Sequence, residues 1–400
     1  MRDSLELMRG EMATRPQRIT NPSMIPLAGV AVYIVTGIIY IFDSGSPQPA
    51  DFTLMVTIMV SALIVWRRYP SEPVLYFAAA TFLAWVLLVN GVWYLTNGDP
   101  TFMRKTLFYF YNMTVFLFTV ILCYHDFERL KTVLYWSLLI ALVIQVAAIS
   151  LIPSHGATRS IGTFNNPNQL GYWGLLVLAC FGVIKDRKPL SLLDVGVLAA
   201  AGYVIIRSLS KAASISGALL IVMIVFFCGW RRGSGLLLAA IVVVGAVTEI
   251  ATGGHFKLVE RFTETQAISN INKRLGSIGD QADDSIEGRG YYRITDNLEL
   301  MAFGAGEGDF ARLDRTDDPK EFHSTPGNII VSYGVIGVGL FLFFLFVVFR
   351  RAPLSSLAFF APLMLYGITH NGIRGSLLWF FLALVYAQSF ERKRVEPGQV

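Results

Sequence analysis

Apolar residues run along this chain in blocks long enough to cross a bilayer, which takes roughly 17–25 residues, and polar residues collect between them. The blocks predict twelve membrane-spanning helices: Met24–Phe42, Phe52–Trp66, Pro73–Leu95, Thr106–Tyr124, Thr132–Ile152, Asn168–Ile184, Leu190–Ile206, Ala212–Trp230, Gly235–Ala251, Thr325–Phe349, Ser355–Thr369 and Ile373–Phe390. The second and eleventh are short. One long polar stretch, Thr252–Phe322, separates the ninth from the tenth. The expected fold is an all-α polytopic integral membrane protein. It has tails at 1–23 and 391–400, helices one to nine within 24–251, a large helical loop at 252–322 and helices ten to twelve within 323–390. Composition agrees: 54% of residues are hydrophobic and 15% charged, against about 25% charged in soluble domains.

Charge orients the helices. Basic residues crowd every second connection: Arg2, Arg9, Arg15 and Arg18; Arg67 and Arg68; Arg129 and Lys131; Lys185, Arg187 and Lys188; Arg231 and Arg232; Arg350 and Arg351; Arg392, Lys393 and Arg394. These hold 18 of the 33 Lys and Arg. The positive-inside rule makes that face and both termini cytoplasmic. The long loop then lies outside, with nine basic and fourteen acidic residues. Within it Val259, Phe262, Ile268, Ile271 and Leu275 recur at helical spacing, which predicts an amphipathic helix. A second helix is expected from Ser285 to about Leu300. The N-terminus lacks a small-residue cleavage site, so the first span is expected to act as an uncleaved signal. Cys123, Cys180 and Cys228 lie in apolar stretches and read as packing residues. No metal, cofactor or nucleic-acid pattern stands out.

Six cations break the orientation rule by sitting in short external connections: Arg104, Lys105, Arg159, Arg207, Lys211 and Arg374. Several precede helix N-termini, where the dipole favours anions. Together they suggest a cup for an anion held by cations and backbone N–H groups; snorkelling of long side chains is the plainer alternative. In the loop, Arg289 and Arg293 stand at i, i+4 and would share a helix face suited to a diphosphate, unless they pair with Glu287 or Asp296. Asn165, Asn166, Asn168 and Gln169 open the sixth span around Pro167 and are candidates for sugar hydroxyls, although one of them is accounted for by helix capping. His323 precedes the tenth span, where Ser324 or Thr325 caps and Pro326 starts the helix. The helix dipole there favours the neutral imidazole, the form that serves as general base; a structural interfacial histidine is the alternative. Gly304, Gly306 and Gly308 lack a surrounding strand–helix unit, so a tight chain reversal is expected rather than a dinucleotide loop.

These residues resemble the O-antigen ligase and O-antigen polymerase superfamily of bacterial envelope polysaccharide glycosyltransferases. The resemblance rests on Arg159-Ser160-Ile161-Gly162-Thr163-Phe164-Asn165-Asn166-Pro167-Asn168, Leu209-Ser210-Lys211, Gly288-Arg289, Gly304-Ala305-Gly306, His323-Ser324 and Tyr333-Gly334-Val335-Ile336-Gly337. It departs from many relatives in having Lys211 where they carry arginine, and Ser324 where they carry asparagine. The resemblance implies an undecaprenyl-diphosphate-linked glycan donor, a glycan or lipid A–core acceptor and an inner-membrane enzyme working on the periplasmic face without metal or cofactor. Other polysaccharide-assembly proteins are further candidate partners. His323 would be catalytic. Arg289, Lys211, Arg159, Arg293, Arg207 and Arg374 would hold the diphosphate, and Asn165, Asn166 and Asn168 the sugar, with Glu307 and Asp309 as reserve bases. Polymerase and ligase remain alternatives within the class. A lipid-linked glycan flippase or other transporter is a more distant one, opposed by the lack of a repeat and by the finding of only one charge, Glu249, well within a span.

Overall fold

The computed structural model describes residues 24–43, 45–65, 71–151, 159–229, 290–308, 310–313 and 322–395. The expected span Gly235–Ala251, the amphipathic stretch 259–275, Arg289, Asp309 and both tails' outer residues lie outside them. Among the described residues the chain is helical, with no strand. In order the longer helices are α1 (Met24–Thr36), α2 (Pro49–Val65), α3 (Pro73–Asn97), α4 (Thr101–Leu151), α5 (Pro167–Lys185), α6 (Leu192–Arg207), α7 (Lys211–Ile224), α8 (Tyr292–Asp296), α9 (Thr325–Phe349), α10 (Leu354–Thr369) and α11 (Ser376–Val395). Among the described residues, five segments are long and apolar enough to cross a membrane: α3, α4, α5, Lys211–Cys228 and α9. Shorter apolar helices at Met24–Thr36, Pro49–Leu63, Leu354–Thr369 and Ser376–Ser389 pack among them.

Two helices are buried on every side. In α5 every residue from Trp173 to Ile184 is buried, and in α11 so is every residue from Leu377 to Ala387. A helix apolar all round belongs inside a bundle. They pack on each other, and α11 also meets α4 and α9. Tight glycine contacts let α5 approach its neighbours: a Cβ at Gly174 would lie 2.9 Å from Ile205 of α6.

Three helices depart from the expected spans. The fourth and fifth spans form one run, α4, broken only at Asp126 (φ −158°, ψ 84°). Asp126 accepts from the Arg129 N–H at 3.0 Å, capping the second half, so no separate loop is needed. The first span ends at Thr36, short of Phe42. Residues 38–42 are apolar but not helical, because side chains take over their backbone bonds. Gln48 Oε1 accepts from the Ile41 and Phe42 N–H groups at 2.9 and 3.0 Å. Asn165 Nδ2 donates to the Phe42 carbonyl at 2.8 Å, and Thr163 Oγ1 to that of Ile38. Of the expected helix from Ser285 to Leu300, the described part has only α8 and one 3₁₀ turn, Leu298–Leu300.

The third departure lies inside α9, which matches its expected ends but is broken at Gly334 (φ 67°, ψ −173°). The break frees backbone groups in mid-helix. Ala305 N–H donates to the Val331 carbonyl and Gly306 N–H to that of Ser332, both at 2.8 Å; Val335 N–H donates to the Met301 carbonyl at 2.8 Å. Trp85 Nε1 from α3 donates to the Tyr333 carbonyl at 2.8 Å. The glycine-rich segment 301–306 is thus laid along the broken helix. Its own carbonyls are served by Trp93 Nε1 (to Gly304, 3.0 Å) and Arg312 (to Ala305 and Gly306). The turn lies at 301–303, before these glycines, and residues 304–306 run along α9 and complete it.

Gly334 has a backbone conformation open only to glycine, and a Cβ there would lie 2.5 Å from the Ala302 carbonyl oxygen. Gly334→Ala should therefore lower stability by about 3 kcal/mol or more. A Cβ at Gly339, in the same helix, meets nothing within 4 Å, so Gly339→Ala should leave stability unchanged or slightly higher. Thermal unfolding in detergent compares the two; equal midpoints would remove the strain at Gly334.

Candidate functional site

The connections gather at two ends of the bundle. At one end Asp194 of α6 takes Lys185 Nζ at 2.6 Å and Tyr135 OH at 2.9 Å, while Glu128 pairs with Lys131 at 2.5 Å and Lys188 at 3.5 Å. At the other end lie most of the residues singled out for chemistry, in two groups.

The first group surrounds the starts of α5, α7 and α9. Arg159 donates from Nε to the Ser208 carbonyl at 3.0 Å and from Nη2 to Asn168 Oδ1 at 2.6 Å. The Ser160 N–H reaches the Arg207 carbonyl at 3.0 Å. Arg159 therefore ties the loop before α5 to the joint between α6 and α7, where Lys211 opens α7. Leu209 in that joint has φ 50°, a conformation rare for a branched side chain. Tyr366 OH donates to the Asn168 carbonyl at 3.1 Å. The Tyr366 ring stacks on Tyr172 and on His370, each at 4.6 Å between centroids. Thr325 Oγ1 at the start of α9 donates to the His370 carbonyl at 3.1 Å. Ser324 is the N-cap of α9, accepting from the Gly327 N–H at 3.1 Å, and His323 just before it is exposed.

The expected sugar ligands have partners inside the protein. Asn166 caps α5, accepting from the Asn168 N–H at 2.8 Å. Asn165 holds the Phe42 carbonyl and Asn168 holds Arg159. Arg293 is 1% exposed. Its guanidinium lies 5.7 Å from the ring centres of both Tyr292 and Phe322, within a small core with Met301, Ala305, Leu313 and Val331. Arg293 is thus buried rather than set on an outer helix face.

The second group was not legible as a unit. Glu307, the acid of the glycine-rich segment, is fully buried. Its Oε1 pairs with Arg374 Nη2 at 2.7 Å and Nε at 3.3 Å. Tyr333 OH donates to Glu307 Oε2 at 3.1 Å, and the Glu307 N–H donates to Asn90 Oδ1 at 2.8 Å. Burial raises the carboxyl, but Arg374 and then Lys105 outweigh it and hold it below the usual carboxylate range. Glu307 is thus ionised and committed to Arg374, which leaves it poorly placed as a reserve base. Arg374 and Glu307 stand 67 residues apart, so no local pattern joins them. Among the described residues no three His, Cys, Asp or Glu side chains gather as metal ligands do.

The structure thus brings the Arg159 and Asn168 side chains to the Arg207–Ser208 backbone, in the joint just before Lys211, and joins them through Tyr366 and His370 to the α9 start beside His323. Arg374, with Lys105, belongs to the Glu307 group instead. Searches with family models and among curated proteins find nothing that matches this chain.

Removing one partner of a buried ion pair leaves the other uncompensated. Glu307→Gln and Arg374→Ala should each cost about 3–5 kcal/mol, and the double variant less than the two costs added. Because the folded carboxyl titrates below its ordinary value, its contribution is present at neutral pH and is lost only as pH falls through that lowered value. Denaturation in detergent at pH 7 and in acid measures both; additive costs would mean the pair is uncoupled.

Proposed function

We propose that this chain is a twelve-span glycosyltransferase of the bacterial inner membrane, with both termini cytoplasmic. It moves an undecaprenyl-diphosphate-linked oligosaccharide to a saccharide acceptor on the periplasmic face, as the resemblance to O-antigen polymerases and ligases implies. The observation that carries the reading is the junction of three segments: Arg159–Asn168, Arg207–Lys211 and the α9 start with His323 exposed beside it. All three overlap pieces that carry the resemblance, the second through Leu209-Ser210-Lys211. Cations at a helix start together with an exposed imidazole provide for a diphosphate leaving group and for an acceptor hydroxyl.

The acceptor hydroxyl attacks the anomeric carbon of the lipid-linked sugar. A bond from that oxygen to the carbon forms and the bond to the diphosphate oxygen breaks. His323 takes the hydroxyl proton. Lys211 and Arg159, with Arg207 and Arg289, stabilise the lipid diphosphate as negative charge grows on it. A single displacement of this kind inverts the anomeric centre.

Reconstituted with undecaprenyl-diphosphate oligosaccharide and candidate acceptors, His323→Ala should lower transfer by about 10²–10⁴-fold with unchanged insertion, and Lys211→Ala should raise the donor KM. Full transfer by His323→Ala would remove the histidine from the mechanism. Elongated product identifies a polymerase and core-linked product a ligase. Topology has its own check: a reporter active only outside the cytoplasm should work when fused after Asp280 and fail after Lys188, and the reverse pattern would invert the proposed orientation.

A further inference from the structure

The start of α5 lies close against the joint between α6 and α7: a Cβ at Gly171 would be 2.6 Å from Ser208 Oγ. Arg159 crosses this seam and its guanidinium is held on both sides of it. Nε donates to the Ser208 carbonyl at 3.0 Å, and Nη2 to Asn168 Oδ1 at 2.6 Å. The first acceptor is backbone and is fixed by the fold. The second is a side chain, and its direction has to be set by its surroundings.

Asn168 is the second residue of α5, and side chains tie its backbone at both ends. Its N–H donates to Asn166 Oδ1 at 2.8 Å, and its carbonyl accepts from Tyr366 OH at 3.1 Å. Tyr366 is itself buried and clamped between the rings of Tyr172 and His370. A rigid phenol of α10 thus fixes an amide of α5, and the amide fixes Arg159. For Asn168 Oδ1 to serve a sugar hydroxyl it would have to exchange a charged donor for a neutral one, and charge-assisted hydrogen bonds are roughly twice as strong. An arginine already held in place loses less freedom when an anion binds.

Resting on the glycosyltransferase reading, we propose that Asn168 and Tyr366 are positioning residues for Arg159, and that Asn168 acts on the donor through that arginine rather than by touching the sugar. Tyr366 is also tied to the histidine side of the junction, but by other atoms. The His370 N–H donates to the Tyr366 carbonyl at 3.1 Å, and the His370 carbonyl accepts from Thr325 Oγ1 at the start of α9 at 3.1 Å. Removing the Tyr366 hydroxyl alone therefore releases the hold on Asn168 and Arg159 while the ring stack and the tie to α9 stay. Its effect falls on the diphosphate and spares the acceptor.

The test uses undecaprenyl diphosphate that carries no sugar, titrated calorimetrically into the full chain in mixed detergent micelles. Arg159→Ala and Asn168→Ala should each weaken its binding about tenfold, and Tyr366→Phe about threefold. In the Arg159→Ala background neither Asn168→Ala nor Tyr366→Phe should weaken it further, because residues acting through one group are not additive. In transfer assays Tyr366→Phe should raise the donor KM and leave the acceptor KM unchanged. Equal weakening with and without Arg159 would make the two residues structural and overturn the positioning. Unchanged binding of the sugar-free lipid with a raised KM for the sugar-bearing donor would make Asn168 a sugar ligand and overturn it too. A chain that binds the diphosphate and transfers glycan without this coupling loses the positioning alone. One that shows the coupling but transfers nothing keeps the positioning and loses the glycosyltransferase, and one that binds no diphosphate loses both.

Discussion

The break in α9 at Gly334 governs what surrounds it. A helix interrupted among apolar helices leaves backbone N–H and C=O groups with no water to satisfy them, at several kcal/mol each. Here they are satisfied by the segment 301–306 and by Trp85. That requirement makes a stretch of glycine-rich loop a fixed part of the bundle. The glycines follow from it: at Gly304 (φ 98°) a Cβ would run into the Ser332 carbonyl. The next acid after that segment, Glu307, is carried down with it to a fully buried position. It can be ionised there only because Arg374 and Lys105 face it.

The consequence is mechanical. The Glu307–Arg374 pair holds the turn between α10 and α11 against the loop that completes α9. The same turn carries Asn371 and Gly372, and the Gly372 N–H donates to Thr325 Oγ1 at the start of α9 at 3.0 Å. The start of α9, where His323 is exposed, is thus anchored on one side by this turn and on the other by Tyr291, whose OH donates to Ser324 Oγ at 2.7 Å. Polar elements of one end of the bundle share a single framework. Within it the cations fall into two groups, one around Arg159 and Lys211 and one around Arg374 and Lys105.

Much of this was readable one segment at a time. Apolar blocks set α2, α3, α5, α7, α9 and α10 to within a few residues, since a block's length and polar flanks are local properties. The cap of α5, Asn166, followed from an oxygen-bearing side chain just before proline, whereas at α9 the sequence left Ser324 and Thr325 open and the fold uses Ser324. The end of α1 did not: residues 38–42 look as apolar as a helix, but Gln48 nearby, with Thr163 and Asn165 distant in sequence, takes up their backbone groups outside a helix. Nor did the fate of Arg293. Spacing alone put it on a face shared with Arg289, whereas folding packs it between Tyr292 and Phe322.

By itself the sequence determined an all-helical, largely apolar bundle with its unusual cations at one end, because hydrophobicity, capping and charge placement act over a few residues. The tertiary structure alone decided which of those cations stand together. Glu307 meets Arg374, and Arg159 meets Asn168 and Ser208, through helices packed side by side. Ionised groups in an apolar bundle must find partners wherever the packing brings them, and no local pattern records that choice.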